Sequence, residues 1–348
     1  MRNHRGVHCA ALCFLCGVLL GTDVAFAQAD RPDAELERWL GPQSWTRDTP
    51  GPVLSLGKLG EFDDQHIFAP CVVRDADKFL LWFCGSGGTV EDRVFGLGLA
   101  TSSDGRNFRR HSDNPVLKFT DGRHSVLTPT LLFDGNGTPI RQGGKLRMWF
   151  SSTDFHDRTG LHTLHESTSE DGVRWSPPSA ALLKGVYAPT VLKGGDRYRM
   201  WFTDVSQGPW LIRYAESPDG KTWNAEPQAV LQVDQPWELS RLFYPAVRSV
   251  NGVLLMWYGS YWRGQESQKT ALGFAVSRDG RLWTKSPHNP VFRPDPAREW
   301  ESHYTTSQSL IRLDDGSWRI WYASRTRPPF VHKYFAIGTA RWAGPAAR

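Results

Sequence analysis

Short β-prone apolar runs, broken by Gly, Pro, Asp and Asn, carry the hydrophobic pattern of this chain, and no stretch sustains a helical period. The runs recur in one order. Trp-Phe or Trp-Tyr sits in the second run of each unit, at Trp82-Phe83, Trp149-Phe150, Trp201-Phe202, Trp257-Tyr258 and Trp321-Tyr322, at intervals of 67, 52, 56 and 64 residues. Upstream, a residue-Pro pair opens the first run: Ala69-Pro70, Thr128-Pro129, Ala188-Pro189 and Tyr244-Pro245, with Gln308 in the fifth unit where the others have Pro. Downstream, a third run ends in Ser-x-Asp-Gly before an aromatic residue: Asp104-Gly105 with Phe108, Asp171-Gly172 with Trp175, Asp219-Gly220 with Trp223 and Asp279-Gly280 with Trp283. Asp-Gly is a hairpin signal, because both central residues of the tight turn need positive φ. The fifth unit stops at Arg341-Trp342 without that turn.

Three clear β runs and a fourth, repeated five times, predict an all-β fold: a five-bladed propeller of mostly four-stranded antiparallel blades. The repeated Trp residues would fill the spaces between blades. The propeller spans residues 61–342, preceded by a capping or linking segment at 28–60. Before that, Arg2, His4 and Arg5 precede an apolar stretch from Ala10 to Leu20, and Ala25-Phe26-Ala27 offers a cleavage site. Residues 1–27 therefore read as a signal peptide, and the mature chain as secreted or periplasmic with no stable membrane anchor.

Composition adds little beyond a turn-rich β domain: 33 Gly, 23 Pro and 16 Trp in 348 residues. The net charge of +5 comes without a Lys/Arg run, which argues against a nucleic-acid partner. Cys9, Cys13 and Cys16 fall in the leader, leaving Cys71 and Cys84. With a turn at residues 75–78, Cys84 would oppose Ala69 and Cys71 would oppose Trp82. Such diagonal neighbours are too far apart for good disulfide geometry, so two buried free thiols are expected. No His/Cys cluster has metal spacing, and no cofactor is expected.

The blade-start Pro, the Trp-aromatic pair and the Ser-x-Asp-Gly turn resemble the five-bladed propeller glycosidases, the superfamily of arabinanases, levansucrases and invertases with glycoside hydrolase families 32, 43, 62, 68, 117 and 130. The resemblance covers about residues 62–342. It implies carboxylate acid/base cleavage of a poly- or oligosaccharide at the propeller axis. The catalytic motifs depart from the families. Family 43 places acids beside the blade-start prolines, where this chain has Ala69, Thr128, Ala188 and Tyr244. Arg74-Asp75 is followed by Ala76 at an outer turn and does not match the family 32 element.

The fold places residues before each blade-start Pro, and after each Trp-aromatic pair, at one mouth. Asp64 is the expected base or nucleophile, and Asp204 or Glu238 the acid. Asp64, Asp204, His66, His303 and Arg325 break the repeat, as functional residues do, and Asp154 follows Asp204 in strand parity. Asp63, Glu238 and Glu301 share one spacing in three units, which also fits a carboxylate that caps the blade-start loop. Glu166 aligns with apolar Leu99, Tyr214 and Phe274, so it must be paired (with Arg147, Arg174 or a His), protonated or near a cavity. Tyr187, Trp210, Tyr244 and Trp262 are expected sugar-stacking platforms. His66, His124, Arg241, His303 and Arg325, with Asp154, Glu166 and Glu301, complete the expected binding set, and its basic members favour an anionic sugar. The missing acids beside the prolines also fit a non-catalytic carbohydrate-binding propeller. A phosphorylase would use the basic residues for phosphate, and a protein scaffold would show exposed apolar patches.

Overall fold

A computed structural model describes residues 33–89, 92–157, 159–263, 268–326 and 336–346; the signal peptide expected at residues 1–27 lies outside them. The described chain folds as five antiparallel sheets. Blade one holds β1 (His66–Asp75), β2 (Lys78–Ser86), β3 (Gly96–Ser102) and β4 (Arg109–Arg110). Blade two holds β5 (Leu127–Leu131), β6 (Leu146–Ser152), β7 (Thr163–Ser169) and β8 (Leu183–Lys184). Blade three holds β9 (Val186–Gly194), β10 (Arg197–Asp204), β11 (Leu211–Ser217) and β12 (Asn224–Ala225). Blade four holds β13 (Leu242–Val250), β14 (Val253–Arg263), β15 (Gln268–Ser277) and β16 (Thr284–Lys285). Blade five has three strands, β17 (Tyr304–Arg312), β18 (Trp318–Arg325) and β19 (Ala336–Trp342). One short helix, α1 (Ala34–Trp39), precedes the blades, capped by Asp33 and seated through Trp39 against Trp318 and Trp342.

The capping segment does more than cover an end. Thr46 and Leu54 pair antiparallel with Arg341 and Ile337, so the stretch before blade one runs along β19 and takes the outer position of blade five. The beginning and end of the ring thereby share a sheet, and the last edge strand is covered.

The repeated Trp residues have one geometric job. Each is fully buried and its indole N–H reaches a neighbouring unit. Trp82 donates to Gly172 O (2.9 Å), Trp149 to Gly220 O (2.8 Å), Trp201 to Gly280 O (2.7 Å) and Trp321 to Gly105 O (2.8 Å). The Asp-Gly turn of one blade therefore accepts from the Trp of the blade before it. At Gly280 a Cβ would stand 2.4 Å from Trp201, and its φ of +83° suits glycine. Blade five lacks the turn, and Gln43 from the capping segment replaces it, accepting from Trp257 at 3.1 Å.

The residue-Pro pairs mark bulges on the innermost strands. Ala69, Thr128, Ala188, Tyr244 and Ser307 all have φ between +43° and +52°. Each inserted residue interrupts the pairing of a first strand with its second. Pro is suited to such a bulge because it brings no N–H that would go unpaired. The N–H of the residue before it goes to a side chain: Ala69 to Ser307, Thr128 to Cys84, Ala188 to Thr128 and Tyr244 to Thr203. The bulge also corrects one pairing. Cys84 opposes Phe68, not Ala69, because the extra residue shifts the register, while Cys71 opposes Trp82 as expected. Both thiols are buried and free.

Candidate functional site

The first strands start, and the second strands end, at one face of the ring. There the five blades surround a cavity of about 480 Å³ lined by His66, Phe68, Arg93, Phe95, Leu127, Phe155, His162, Tyr187, Trp210, Phe243, Tyr244, Tyr261, Thr270, Tyr304 and Thr306. Its wall is largely aromatic. On one side Phe95 contacts Phe68, His66 and Phe155 at ring separations of 5.1, 5.9 and 5.8 Å. On the other, Tyr187 meets His162, Tyr244 and Trp210 at 4.9, 5.3 and 6.1 Å. The Tyr187 and Tyr244 hydroxyls hydrogen-bond to each other, and burial raises both phenols above their ordinary range. They are neutral hydrogen-bonding groups at neutral pH. Thr306 lines the cavity, and its Oγ1 is buried without a hydrogen-bond partner among the described residues.

Cations flank the rings. Arg93 lies 4.2 Å from the Phe155 ring centre, Arg241 lies 4.7 Å from Trp210, and Arg325 lies 4.3 Å from Tyr304. His162 is held below the ordinary imidazole range by burial, so it stands neutral at pH 7. Among the described residues, no Asp or Glu lines the cavity.

The structure brings together only part of the expected set. His66, Tyr187, Trp210 and Tyr244 line the cavity, and Arg241 and Arg325 stand against its rings. His303 is buried behind it, stacked on Tyr304 at 5.2 Å. Trp262 lies outside the lining, with Arg293 5.3 Å over its ring. Asp154 follows the end of β6 beside cavity-lining Phe155 and bridges to His124. The His156 N–H, outweighing burial, and Arg123 at 2.7 Å hold the Asp154 carboxyl below its usual range. His124 itself is exposed and bonded to Asp121.

Other expected carboxylates are held by their own blades. Asp204 accepts from Ser206 and pairs with Arg213 at 2.9 Å, which together outweigh burial and keep it ionised. Glu238 caps its loop by accepting from the Asp234 and Gln235 N–H groups, and also meets Tyr258 and Lys285. Glu301 likewise meets a tyrosine and a cation, Tyr322 and Arg47, and Asp63 pairs with Arg110, but among the described residues neither accepts from N–H groups of earlier loop residues as Glu238 does. Glu166 pairs with Arg147 at 2.5 Å, and Arg147 reaches on to Asp219 O at 2.7 Å, tying blade two to blade three. Asp64 lies in the loop before β1, where Oδ2 accepts from Gly60 N–H and Oδ1 is buried without a described partner. Among the described residues, no group of three or more His, Cys, Asp or Glu could hold a metal.

Sequence reasoning did not assign roles to Phe68, Arg93, Phe95, Phe155 and His162. Arg93 and Phe95 precede β3, and Phe155 and His162 lie between β6 and β7, in connections whose lengths differ from blade to blade. For Phe95, Phe155 and His162, the aromatic ring in a connection between strands was the available signal.

No family model matches the chain. An uncharacterized protein of Mycobacterium tuberculosis, Rv1502, is 27% identical over 238 residues, which is 65% of this chain and 76% of that one. Among solved structures, a glycoside hydrolase superposes with a TM-score of 0.70 at 18% identity, covering 87% of this chain and 94% of its own. A second superposes with a TM-score of 0.65 at 16% identity, over 88% and 96%. It comes from work describing glycoside hydrolases of the GH130 family of mannoside phosphorylases that target β-1,2 mannosidic linkages in Candida mannan. At these identities the likeness establishes the propeller fold.

Proposed function

We propose that this protein is a secreted glycoside hydrolase that takes a saccharide into the mouth of its propeller. The observation that carries the reading is the cavity of about 480 Å³ walled by aromatic rings from all five blades. Aromatic faces suit the apolar C–H face of a sugar ring, while the Tyr187–Tyr244 hydroxyl pair, His162 and Thr306 offer hydrogen bonds to its hydroxyls. Arg93, Arg241 and Arg325 at the same rings favour a uronate or sulfated unit over a neutral one. The glycoside hydrolases among the structural neighbours support cleavage as well as binding. Export rests on the leader at residues 1–27.

Hydrolysis needs two carboxyl groups across the scissile bond. Asp64, two residues before His66, and Asp154, beside Phe155, stand next to cavity-lining residues along the chain; Asp64 Oδ1 is buried without a described partner, while Asp154 is held by the His156 N–H and by the exposed Arg123. Asp154, held ionised, suits the base or nucleophile, with Asp64 as the second carboxyl group. Asp204 and Glu238 serve the blades.

One observation favours a second reading. A cavity without a lining carboxylate among the described residues suits a carbohydrate-binding propeller that does no chemistry. The two separate in one experiment: a panel of neutral and anionic oligosaccharides, product release read by mass and binding by calorimetry. A new product, lost in both Asp64→Ala and Asp154→Ala, supports hydrolysis. Binding without product in the native protein selects the binder. Neither binding nor product from any member overturns the sugar reading.

A further inference from the structure

A second, smaller cavity of about 50 Å³ lies where the same three positions of every blade converge: Ala69-Pro70-Cys71, Thr128-Pro129-Thr130, Ala188-Pro189-Thr190, Tyr244-Pro245-Ala246 and Ser307-Gln308-Ser309, with Phe133 and Arg248. It is therefore centred on the propeller axis. One of its walls is a buried cation. Arg248, on β13, is 5% exposed. Its Nε donates to Leu310 O at 2.6 Å and its Nη1 to Val247 O at 2.7 Å, and the guanidinium lies 4.3 Å from the centre of the Phe133 ring. All of these partners are neutral, and no Asp or Glu pairs with Arg248 among the described residues. The other titratable groups lining the cavity are Cys71, which burial pushes up to about 11, and the Tyr244 phenol, which burial raises well above its ordinary range, so both are neutral at pH 7. Burial draws Arg248 down to about 10, which leaves it charged.

A guanidinium buried with only neutral partners is costly unless a counter-charge joins it. The cavity also has spare polar capacity. Ser309 Oγ accepts from Val72 N–H, and Ser307 Oγ from Ala69 N–H, which leaves both hydroxyl protons to donate. Gln308 Nε2 is fixed by Tyr244 O and Trp257 O, so its Oε1, buried without a partner, requires a donor. A water occupies about 30 Å³ of liquid, and a halide is of similar size. A cavity of about 50 Å³ has room for one such ion with water beside it.

We propose that the axial cavity is a halide site, taking chloride against Arg248 with hydroxyls of the blade-five bulge as further donors. A companion water donates both to the ion and to Gln308 Oε1. The site is separate from sugar binding, although Tyr244 lines both cavities, so the ion also braces the floor of the mouth.

The test uses the native protein in two arms. Crystals equilibrated in sodium bromide are expected to give an anomalous peak beside the Arg248 guanidinium. In solution, at fixed ionic strength with gluconate replacing chloride, the unfolding midpoint is expected to rise with the logarithm of chloride concentration. Arg248→Met should lose both signals; if it does not fold, the native arms decide alone. Absence of the peak, or a peak elsewhere only, means that water and carbonyls suffice for Arg248 and overturns the proposal. A peak with a chloride-independent midpoint overturns it equally, as binding at crystal concentration only.

Discussion

Gln43 is the position where the ring closure can be tested most directly. It lies in the capping segment, yet its Oε1 accepts two indole protons, from Trp257 at 3.1 Å and from Trp45 at 3.0 Å. Four of the repeated Trp residues find their acceptor in a backbone carbonyl of the next Asp-Gly turn. A carbonyl of that kind cannot be removed by mutation; Gln43 can. In Gln43→Ala, Trp257 stays fully buried and its N–H has no acceptor. Leaving a buried donor unpaired costs about 1–3 kcal/mol. Trp45 is half-buried and can turn to water, so its loss adds little. A total of about 2 kcal/mol corresponds to a midpoint lowered by roughly 4–8 °C, at 2–4 °C per kcal/mol for domains of 150–250 residues, and somewhat less for a longer chain. Differential scanning calorimetry on native protein, Gln43→Ala and Gln43→Glu measures this. Gln43→Glu keeps an acceptor and should recover most of the loss. A double-mutant cycle with Trp257→Phe isolates the pair, since the second substitution removes the donor that the first leaves unpaired. The two losses should therefore be less than additive. A midpoint for Gln43→Ala within 1 °C of native, or strictly additive losses (both thresholds set on the roughly 4–8 °C expectation), would refute the closure.

Three further outcomes bear on the site and its frame. Trp210→Ala should weaken glycan affinity by roughly 2- to 12-fold, as one aromatic contact is worth about 0.5–1.5 kcal/mol, with an unchanged unfolding midpoint; calorimetric titration checks it. Glu166→Gln should leave turnover and glycan affinity untouched while lowering stability by about 3 kcal/mol in urea unfolding, because Arg147 keeps its burial and loses its carboxylate; loss of activity in a variant of native stability would return Glu166 to the site. Stability should also fall on mild acidification. Burial lowers the folded-state pKa of His162 and His165 below the ordinary 6.5, so their contribution is complete above 6.5 and is lost as pH falls through that value toward the folded pKa. The carboxylates of the Asp-Gly turns, held low by backbone N–H groups and, at Asp279, by those N–H groups outweighing burial, begin to lose theirs only at more acid pH. His165→Gln should flatten the limb below pH ~6.5, the ordinary imidazole value, in urea titrations; an unchanged limb would show that the loss arises elsewhere.

The legibility of this chain follows from what repetition can and cannot carry. The five Trp-aromatic pairs and four Asp-Gly turns revealed the propeller because four of the five pairs of adjacent blades make the same indole-to-turn contact, so one solution is written several times. The closure escaped notice because it happens once: Gln43, Thr46 and Leu54 repeat nothing and pair with the far end of the chain. The Cys84 register was misplaced for a different reason, since a bulge adds a residue that strand parity does not count. In the site, Tyr187 and Tyr244 were legible from their place at the blade-start Pro, whereas Phe95, Phe155 and His162 came from connections with no fixed spacing. The carboxylates show the limit most plainly. Asp204 and Glu166 are exceptions within their repeats, and an exception says only that something differs. What differs is a partner, Arg213 for one and Arg147 for the other, each on the strand paired with its own. A local compensation of this kind leaves the same trace in sequence as a catalytic acid. The repeat therefore indicates where a blade is unusual, and only the position of the compensating charge separates a carboxylate that holds the blade from one that faces a ligand.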